Sequence, residues 1–267
     1  MTVIIYLMII LATFGIGFVA SMLGLGGGFL VVPLLIFAGL SAHSAIGTTI
    51  SIAMFVGFSS FAEYYRQRRV DWGLAIVLEC ASIPGSILGA CLTSYVSSDQ
   101  LIFLFTLILI MISLFLISQP SIQTNFKFNH LIWKREIIDR NDQRFNYQVN
   151  LFWALLLGFF AGLAAGFFGI SGGIMKVPIL IFVGVPIHVA VATSSLMISL
   201  TSSAAFATHF FLGNIDYRYL ILASPGIILG AQLGARKAGK IKPRKLRKIF
   251  SILLLLAAIA MLTRLLS

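Results

Sequence analysis

The chain has 267 residues, 59% hydrophobic and 10% charged, with a mean hydropathy of +1.03 and a formal net charge of +11. A soluble domain of this size carries about 25% charge, so a single water-soluble domain is excluded and a chain dissolved in lipid is expected. The basic residues flank apolar runs instead of forming a domain, which disfavours nucleic acid as a partner.

The first apolar run, Thr2 to Leu23, lacks a basic leader and a small-residue cleavage site. It therefore reads as a retained span and not as a signal peptide. Further segments follow near 28–40, 44–62, 73–96 and 100–118, then near 150–168, 173–185, 189–211, 218–235 and 248–266. The run Leu101–Ile117 is apolar without alternation, which argues against a transmembrane β-barrel. The expected fold is an all-α polytopic membrane protein with about eight to ten membrane segments, since lipid leaves backbone groups no partner outside a helix. The second segment of each half is too short for a full span of about 20 residues, and reads as a half-helix or a re-entrant piece. Cys80 and Cys91 lie about 16 Å apart on one helix at 1.5 Å per residue, too far for a disulfide, and are expected to be packing residues.

The two halves repeat. Gly24-Leu-Gly-Gly-Gly-Phe-Leu-Val-Val-Pro33 matches Gly169-Ile-Ser-Gly-Gly-Ile-Met-Lys-Val-Pro178, at an offset of 145. The same offset pairs His43 with His188, Thr48 with Thr193 and Asp71 with Asp216. Further on the offset becomes 141, and Pro84-Gly-Ser-Ile-Leu-Gly-Ala90 matches Pro225-Gly-Ile-Ile-Leu-Gly-Ala231. Matched His, Asp and Pro positions are more than shared apolar composition explains. The organisation is a first transmembrane repeat at 1–118, a cytoplasmic linker at 119–149 and a second repeat at 150–267. The linker carries Lys127, Lys134, Arg135, Arg140 and Arg144, with a short amphipathic stretch around 128–138. Its blander reading is a connector lying near the headgroups.

Charge orients the repeats. Arg66, Arg68 and Arg69 follow the third segment of unit one, where unit two has Gly213-Asn214-Ile215-Asp216. After the fourth segment, unit one has Ser97-Ser98-Asp99, while unit two has eight basic residues between Arg236 and Lys248. Basic loops mark the cytoplasmic side, so equivalent loops face opposite sides. The two pseudo-symmetric repeats are expected to be inverted in topology, with both termini outside.

Gly26, Gly27 and Gly28, and Ser171, Gly172 and Gly173, interrupt apolar segments. Each break precedes a short helix whose N-terminal N–H groups and dipole can hold an anion without a charged side chain. Irregular backbone inside a membrane is tolerated where it is buried in protein or lines a cavity. The competing reading is tight packing through small residues. Pro33 and Pro178, five residues beyond the last glycine, are structural and can kink the short helices. Thr48 and Thr49, matched by Thr193 and Ser194, can complete a polar pocket or bond back to their own helix. Lys176, whose repeat partner is Val31, can add one positive charge to that pocket or snorkel to an interface. Glu79, His43 and His188 are candidates for proton coupling; a cap or interfacial role competes for the two histidines, and pairing with a basic residue competes for Glu79. Glu63 is expected to pair with Arg66 three residues on, and His209 is a further ionisable group inside an apolar segment. No metal-ligand spacing, nucleotide motif or nucleophile elbow is found, so no metal or cofactor is expected and an enzyme has no support.

The doubled Gly-x-Gly-Gly-Gly-x-x-x-x-Pro motif and the Pro-Gly-x-x-Leu-Gly segments resemble those of the TauE/SafE sulfite exporter family, also called the toluene sulfonate uptake permease family. The resemblance covers essentially the whole chain and departs at Ser171, where the first copy has Gly26. It implies a transporter of the cell inner membrane for small sulfur-containing or carboxylate anions. The family's signature residues fall on Gly26, Gly27, Gly28, Pro33, Gly172, Gly173 and Pro178. The expected function is a secondary transporter that moves a small anion by alternating access. A passive anion channel on the same fold, and a non-transporting membrane scaffold, are the alternatives. Substrate, direction, coupling ion and oligomeric state are left open by the sequence.

Overall fold

The computed structural model describes residues 2–24, 26–118, 131–170, 172–238 and 243–266. In chain order they form α1 (Thr2–Leu23), α2 (Gly28–Phe37), α3 (Ala42–Arg66), α4 (Trp72–Thr93), α5 (Ser98–Ser118), β1 (Ile132–Ile138), β2 (Arg144–Asn150), α6 (Leu151–Phe168), α7 (Gly173–Phe182), α8 (Ile187–Phe211), α9 (Tyr217–Lys237) and α10 (Pro243–Leu266). The protein is an all-α polytopic membrane protein with one small hairpin. Helices α3, α4, α6 and α8 are long and apolar enough to cross a bilayer, and α2 and α7 are short apolar helices of 10 residues.

Side chains are distributed as lipid requires. Leu7, Leu11, Ile76, Leu107, Phe160, Ile221 and Leu256 are exposed, an apolar surface far beyond what a soluble monomer shows. The interior is instead rich in Gly, Ala, Ser and Thr. Cys80 and Cys91 are also exposed, so they lie on the outer face of α4 and are not the packing residues expected.

The repeats interlock. The first helix of each unit packs along the fourth helix of the other, α1 on α9 and α6 on α4. Between them, α3 packs on α8, and α5 pairs with α10. Small residues permit this. Gly85 and Gly89 of α4 abut the carbonyls of Phe159 and Leu163, and Gly162 and Gly166 of α6 abut those of Ser82 and Ser86. Likewise Gly226, Gly230 and Gly234 of α9 abut the carbonyls of Ile10, Phe14 and Phe18 on α1. The matched Pro-Gly-x-x-Leu-Gly segments therefore serve as helix-contact faces, the small-xxx-small device of membrane helices.

Helices α3 and α8 run antiparallel. The backbone N–H of Asp216, just after α8, donates to Thr48 Oγ1 at the start of α3 at 2.9 Å. The N–H of Asp71, just after α3, donates to Thr193 Oγ1 near the start of α8 at 3.0 Å. Midway, Gly57 lies against the backbone of Ser199. Each aspartate then caps the next helix: Asp71 Oδ1 accepts from Leu74 N–H at 2.9 Å, and Asp216 Oδ1 from Arg218 N–H at 2.9 Å.

Residues 131–150 depart from expectation. They form an antiparallel hairpin pairing Ile132 with Asn150 through Ile138 with Arg144, where an amphipathic stretch or loose connector was expected; residues 119–130 lie outside the described residues. The decisive pattern is alternation in β2, where Phe145, Tyr147 and Val149 face inward and Arg144, Asn146 and Gln148 face outward. That period of two suits a strand with one buried face.

The hairpin grips the α3–α4 turn. Arg69 pairs with Asp139 at 2.9 Å, and Arg140 N–H donates to Gln67 O at 3.1 Å. At the same end Arg236 of α9 pairs with Glu63 at 3.0 Å. Glu63 therefore does not take Arg66 as its partner: α9 packs alongside α3, and Glu63 faces it.

Substituting valine at Gly89 or at its repeat counterpart Gly230 is expected to cost about 1–3 kcal/mol, because overpacking must separate two helices in backbone contact. Both variants should lower the melting temperature in detergent by similar amounts, whereas valine at Gly15, which has nothing within 4 Å of a built Cβ, should not.

Candidate functional site

The two glycine breaks have the same construction. Gly27 and Gly172 precede α2 and α7 with φ of 74° and 66°, a left-handed conformation that glycine adopts without penalty. Neither helix start receives a side-chain cap. Gly26, Gly27, Gly28, Gly172 and Gly173 are all buried; Ser171 lies outside the described residues. Pro33 and Pro178 sit inside the short helices.

Each break packs on the other unit. A Cβ built at Gly24 would lie 2.8 Å from Ser194 Oγ, 3.0 Å from Val191 and 3.1 Å from Val177. One built at Gly169 would lie 3.2 Å from Ile46 and 3.2 Å from Val32. Val31 and Val32 from α2 and Ile174 and Val177 from α7 join one buried cluster. The residue leading into each break thus packs against the other unit, Gly24 on the start of α8 and on α7, Gly169 on the start of α3 and on α2.

The four matched hydroxyls are used differently. Thr48 and Thr193 accept the crossed N–H bonds already described. Ser194 Oγ donates to Gly24 O at 3.1 Å and Val191 O at 2.9 Å. Its counterpart Thr49 is fully buried, and its hydroxyl has no partner among the described residues. Such an atom is costly in a native interior and calls for an explanation.

Lys176 does not snorkel. Its side chain is 1% exposed and passes over the break, with Cε 3.2 Å from a Cβ built at Gly172. Its ammonium donates to Glu79 Oε1 at 2.6 Å, to Met197 O at 3.1 Å and to Thr201 Oγ1. Thr201 Oγ1 donates in turn to Glu79 Oε2 and lies 3.4 Å from Ser82 Oγ. Two sequence candidates, Lys176 and Glu79, thus join in one buried ion pair across α7, α4 and α8. Thr201 and Ser82 were missed. The signal lay in the repeat: Val56 and Ala223 occupy their matched positions.

The histidines stand apart from this cluster. His43 Nε2–H donates to the carbonyls of Thr93 at 3.1 Å and Val96 at 3.0 Å, and Nδ1 lies 3.2 Å from Ser98 Oγ. It closes the C-terminal end of α4, where carbonyls lack helical partners. His188 is exposed at the start of α8, its ring 6.4 Å from that of Phe145. His209 is buried, with Nε2 3.1 Å from Gly166 O.

A second ionic cluster holds the α3–α4 turn. Arg135 of β1 binds Asp71 through both carboxylate oxygens, at 2.5 and 2.8 Å, and Tyr147 of β2 donates to Asp71 Oδ2 at 2.6 Å. Burial alone would raise the Asp71 carboxyl, but the Arg135 hydrogen bonds, Leu74 N–H, Tyr147 hydroxyl and Arg135 charge together hold it below its ordinary value. Since Asp71 N–H also bonds Thr193, the hairpin is joined through one residue to the start of α8.

The chain belongs to the sulfite exporter TauE/SafE family. That family matches residues 9–261. The probable membrane transporter protein YunE of Bacillus subtilis is 30% identical over 93% of this chain and 94% of its own. A probable membrane transporter protein of Methanocaldococcus jannaschii is 28% identical over 92% of this chain and 91% of its own, and YfcA of Escherichia coli, also a probable membrane transporter protein, is 27% identical over 82% and 76%. No solved structure matches. The chain is accordingly a multi-pass member of a membrane transporter family.

Two outcomes follow from these contacts. Thr193→Val removes the acceptor for the Asp71 N–H, and leaving such a buried donor unpaired costs about 1–3 kcal/mol. Thr48→Val should cost less, because Asp216 is half-exposed and water can replace the hydroxyl; detergent melting curves compare the two. A carboxyl with a lowered value stabilises the fold above its ordinary value of about 3.9 and loses that contribution as pH falls through its own. Hydrogen-exchange protection of residues 132–150, corrected for the intrinsic rate, should therefore drop as pH falls below about 4, and Arg135→Ala should produce the same loss at neutral pH.

Proposed function

We propose that the protein is a secondary transporter of small sulfur-containing or carboxylate anions, such as sulfite or an organosulfonate, working by alternating access in the cell inner membrane. The observation that carries this reading is the matched pair of buried breaks, each a left-handed glycine starting a short helix and each packed against the other unit. A helix N-terminus in a low-dielectric interior favours a negative ligand, and each unit supplies one. The Thr49 hydroxyl, without a partner among the described residues, supplies a donor, and Lys176, paired with Glu79, stands beside one break.

The antiparallel run of α3 and α8, equivalent helices of the two units, supports an inverted repeat. The Arg66–Arg69 turn, the hairpin and the α9 end bearing Arg236 gather at one end, which fits a cytoplasmic face by the positive-inside rule. Interlocked, inverted units can rock about a shared centre so that it opens to one side at a time. A free proton is the simplest coupling ion for a site with Glu79 in it.

The test is uptake into proteoliposomes of sulfite, sulfate, thiosulfate, sulfonates and small carboxylates, with and without an imposed proton gradient. Uphill movement of at least one anion is expected, and purely downhill movement would establish a channel instead. Thr49→Val should leave the melting temperature unchanged or raise it, because a buried hydroxyl with no partner among the described residues is lost, while cutting anion flux severalfold. Movement of cations or neutral solutes alone would refute the anion reading.

A further inference from the structure

The Lys176–Glu79–Thr201 cluster has no twin. By the repeat, Lys176 corresponds to Val31 and Thr201 to Val56; in register with the matched prolines, Ser82 corresponds to Ala223 and Glu79 to Leu220. Val31, Val56 and Ala223 are fully buried, and Leu220 packs against the same core. One half of the molecule therefore closes this spot with aliphatic side chains, which shows that the fold does not need an ion pair there. Counting from the caps instead, Glu79 corresponds to Ser224, again not an acid. The cause of the two registers is visible: α4 runs 13 residues from Asp71 to Pro84, and α9 runs 9 from Asp216 to Pro225. The first unit has about one additional helical turn here, and Glu79 lies in that stretch.

An ion pair buried in this way stabilises no better than well-packed apolar groups, so its retention on one side only points to use. The arrangement also has the form of a bound ligand. The carboxylate of Glu79 is a small monovalent oxyanion with one oxygen on an ammonium and the other on a hydroxyl. Its seat lies beside the Gly172 break, because the Lys176 stem crosses that glycine.

We propose that Glu79 is a tethered stand-in for the transported oxyanion, occupying its seat on Lys176 and Thr201 until a proton neutralises it. This rests on the transporter reading and specifies its substrate class and its coupling. With Glu79 ionised, Lys176 is fully engaged and an incoming anion meets a carboxylate. When Glu79 takes a proton it becomes a neutral acid and turns aside, and Lys176 and the Thr201 and Ser82 hydroxyls take the anion. The cluster is neutral before, with Lys176 and Glu79 opposed, and neutral after, with Lys176 and a monovalent anion opposed. One proton thus binds with each anion. A dianion would leave one uncompensated negative charge in the same dry space, so sulfonate or monocarboxylate groups are preferred to sulfate.

Among the described residues packed against α4, the other titratable groups are engaged elsewhere: His43 bonds the Thr93 and Val96 carbonyls at its C-terminal end, and Arg135, against Gly73 at its start, bonds Asp71. Helix α6 has none, and α7 has only Lys176. Helix α8 has His188, exposed beside Phe145, and His209, bonded to Gly166 O and not to the cluster. On α4 itself Cys80 and Cys91 face outward.

The test uses the purified full chain in detergent, titrated with methanesulfonate in weakly buffered solution. Methanesulfonate stays ionised throughout the neutral range, so any proton consumed is taken by the protein. The wild type should take up one proton per anion bound, with affinity rising about tenfold for each pH unit lowered while Glu79 is mostly ionised, and sulfate should bind more weakly. Glu79→Gln should bind methanesulfonate with no proton uptake and no pH dependence. Lys176→Met should not bind it. The double variant Glu79→Gln/Lys176→Met, which approaches the aliphatic arrangement of the other half, should fold and not bind, separating loss of the seat from loss of the protein. Undiminished proton uptake in Glu79→Gln, binding unaffected by Lys176→Met, or no methanesulfonate binding by the wild type at any pH would each overturn the proposal. The transporter reading would fail separately, if the proteoliposomes moved none of the anions or moved them only downhill.

Discussion

Direct backbone contact between helices of different repeats is the constraint on which the rest of this structure depends. In lipid there is no hydrophobic drive to bring helices together, so association rests on close packing and on hydrogen bonds. Gly85, Gly89, Gly162 and Gly166 allow α4 and α6 to meet carbonyl against Cα, and Gly226, Gly230 and Gly234 do the same for α9 and α1. Because these pairs are exchanged between units, neither repeat can complete its packing alone. The exchange also carries each glycine break to the other unit, where α2 and α7 share one core.

The symmetry is close where it supports the fold and broken where charge enters. Thr48 with Asp216, and Thr193 with Asp71, are the same hydrogen bond made twice in opposite directions. Both connect the end of a long helix to the start of its antiparallel twin, using the aspartate that caps the following helix. By contrast, Lys176, Glu79 and Thr201 form a polar centre that the other half replaces with Val31, Leu220 and Val56. The glycine contacts and the crossed Thr–Asp bonds are common to both halves, and the asymmetry is concentrated in one buried ionic cluster.

The hairpin adds a further asymmetry. Asp71 is buried under β1 and β2 and tied to Arg135 and Tyr147, while Asp216 at the opposite end has no such cover among the described residues. Among the described residues only one of the two equivalent turns is clasped. Through the Asp71 N–H on Thr193, that clasp bears on the helix that supplies Met197 and Thr201 to the ion pair.

Much of this was legible in the residues. Composition dictated a helical membrane protein, since only helices satisfy their backbone inside lipid when apolar runs lack alternation. Repeated motifs located ten segments, and the left-handed conformations at Gly27 and Gly172 lie where glycine is the residue that fits. The hairpin was not legible, because an alternation of seven residues in a charged linker is also what a short amphipathic stretch can look like until a surface is present to bury one face. Nor were the partners of Glu63 and Glu79. Near neighbours in a helix are visible from spacing, but Arg236 lies 173 residues from Glu63 and Lys176 lies 97 from Glu79, and only the exchange of helices between repeats decides that they meet. The sequence by itself determined the segments, their duplication and the unequal residues at matched positions. The tertiary structure alone decided that those unequal residues form one charge-balanced centre, because an ion pair between helices is a property of their packing and not of either strand of sequence.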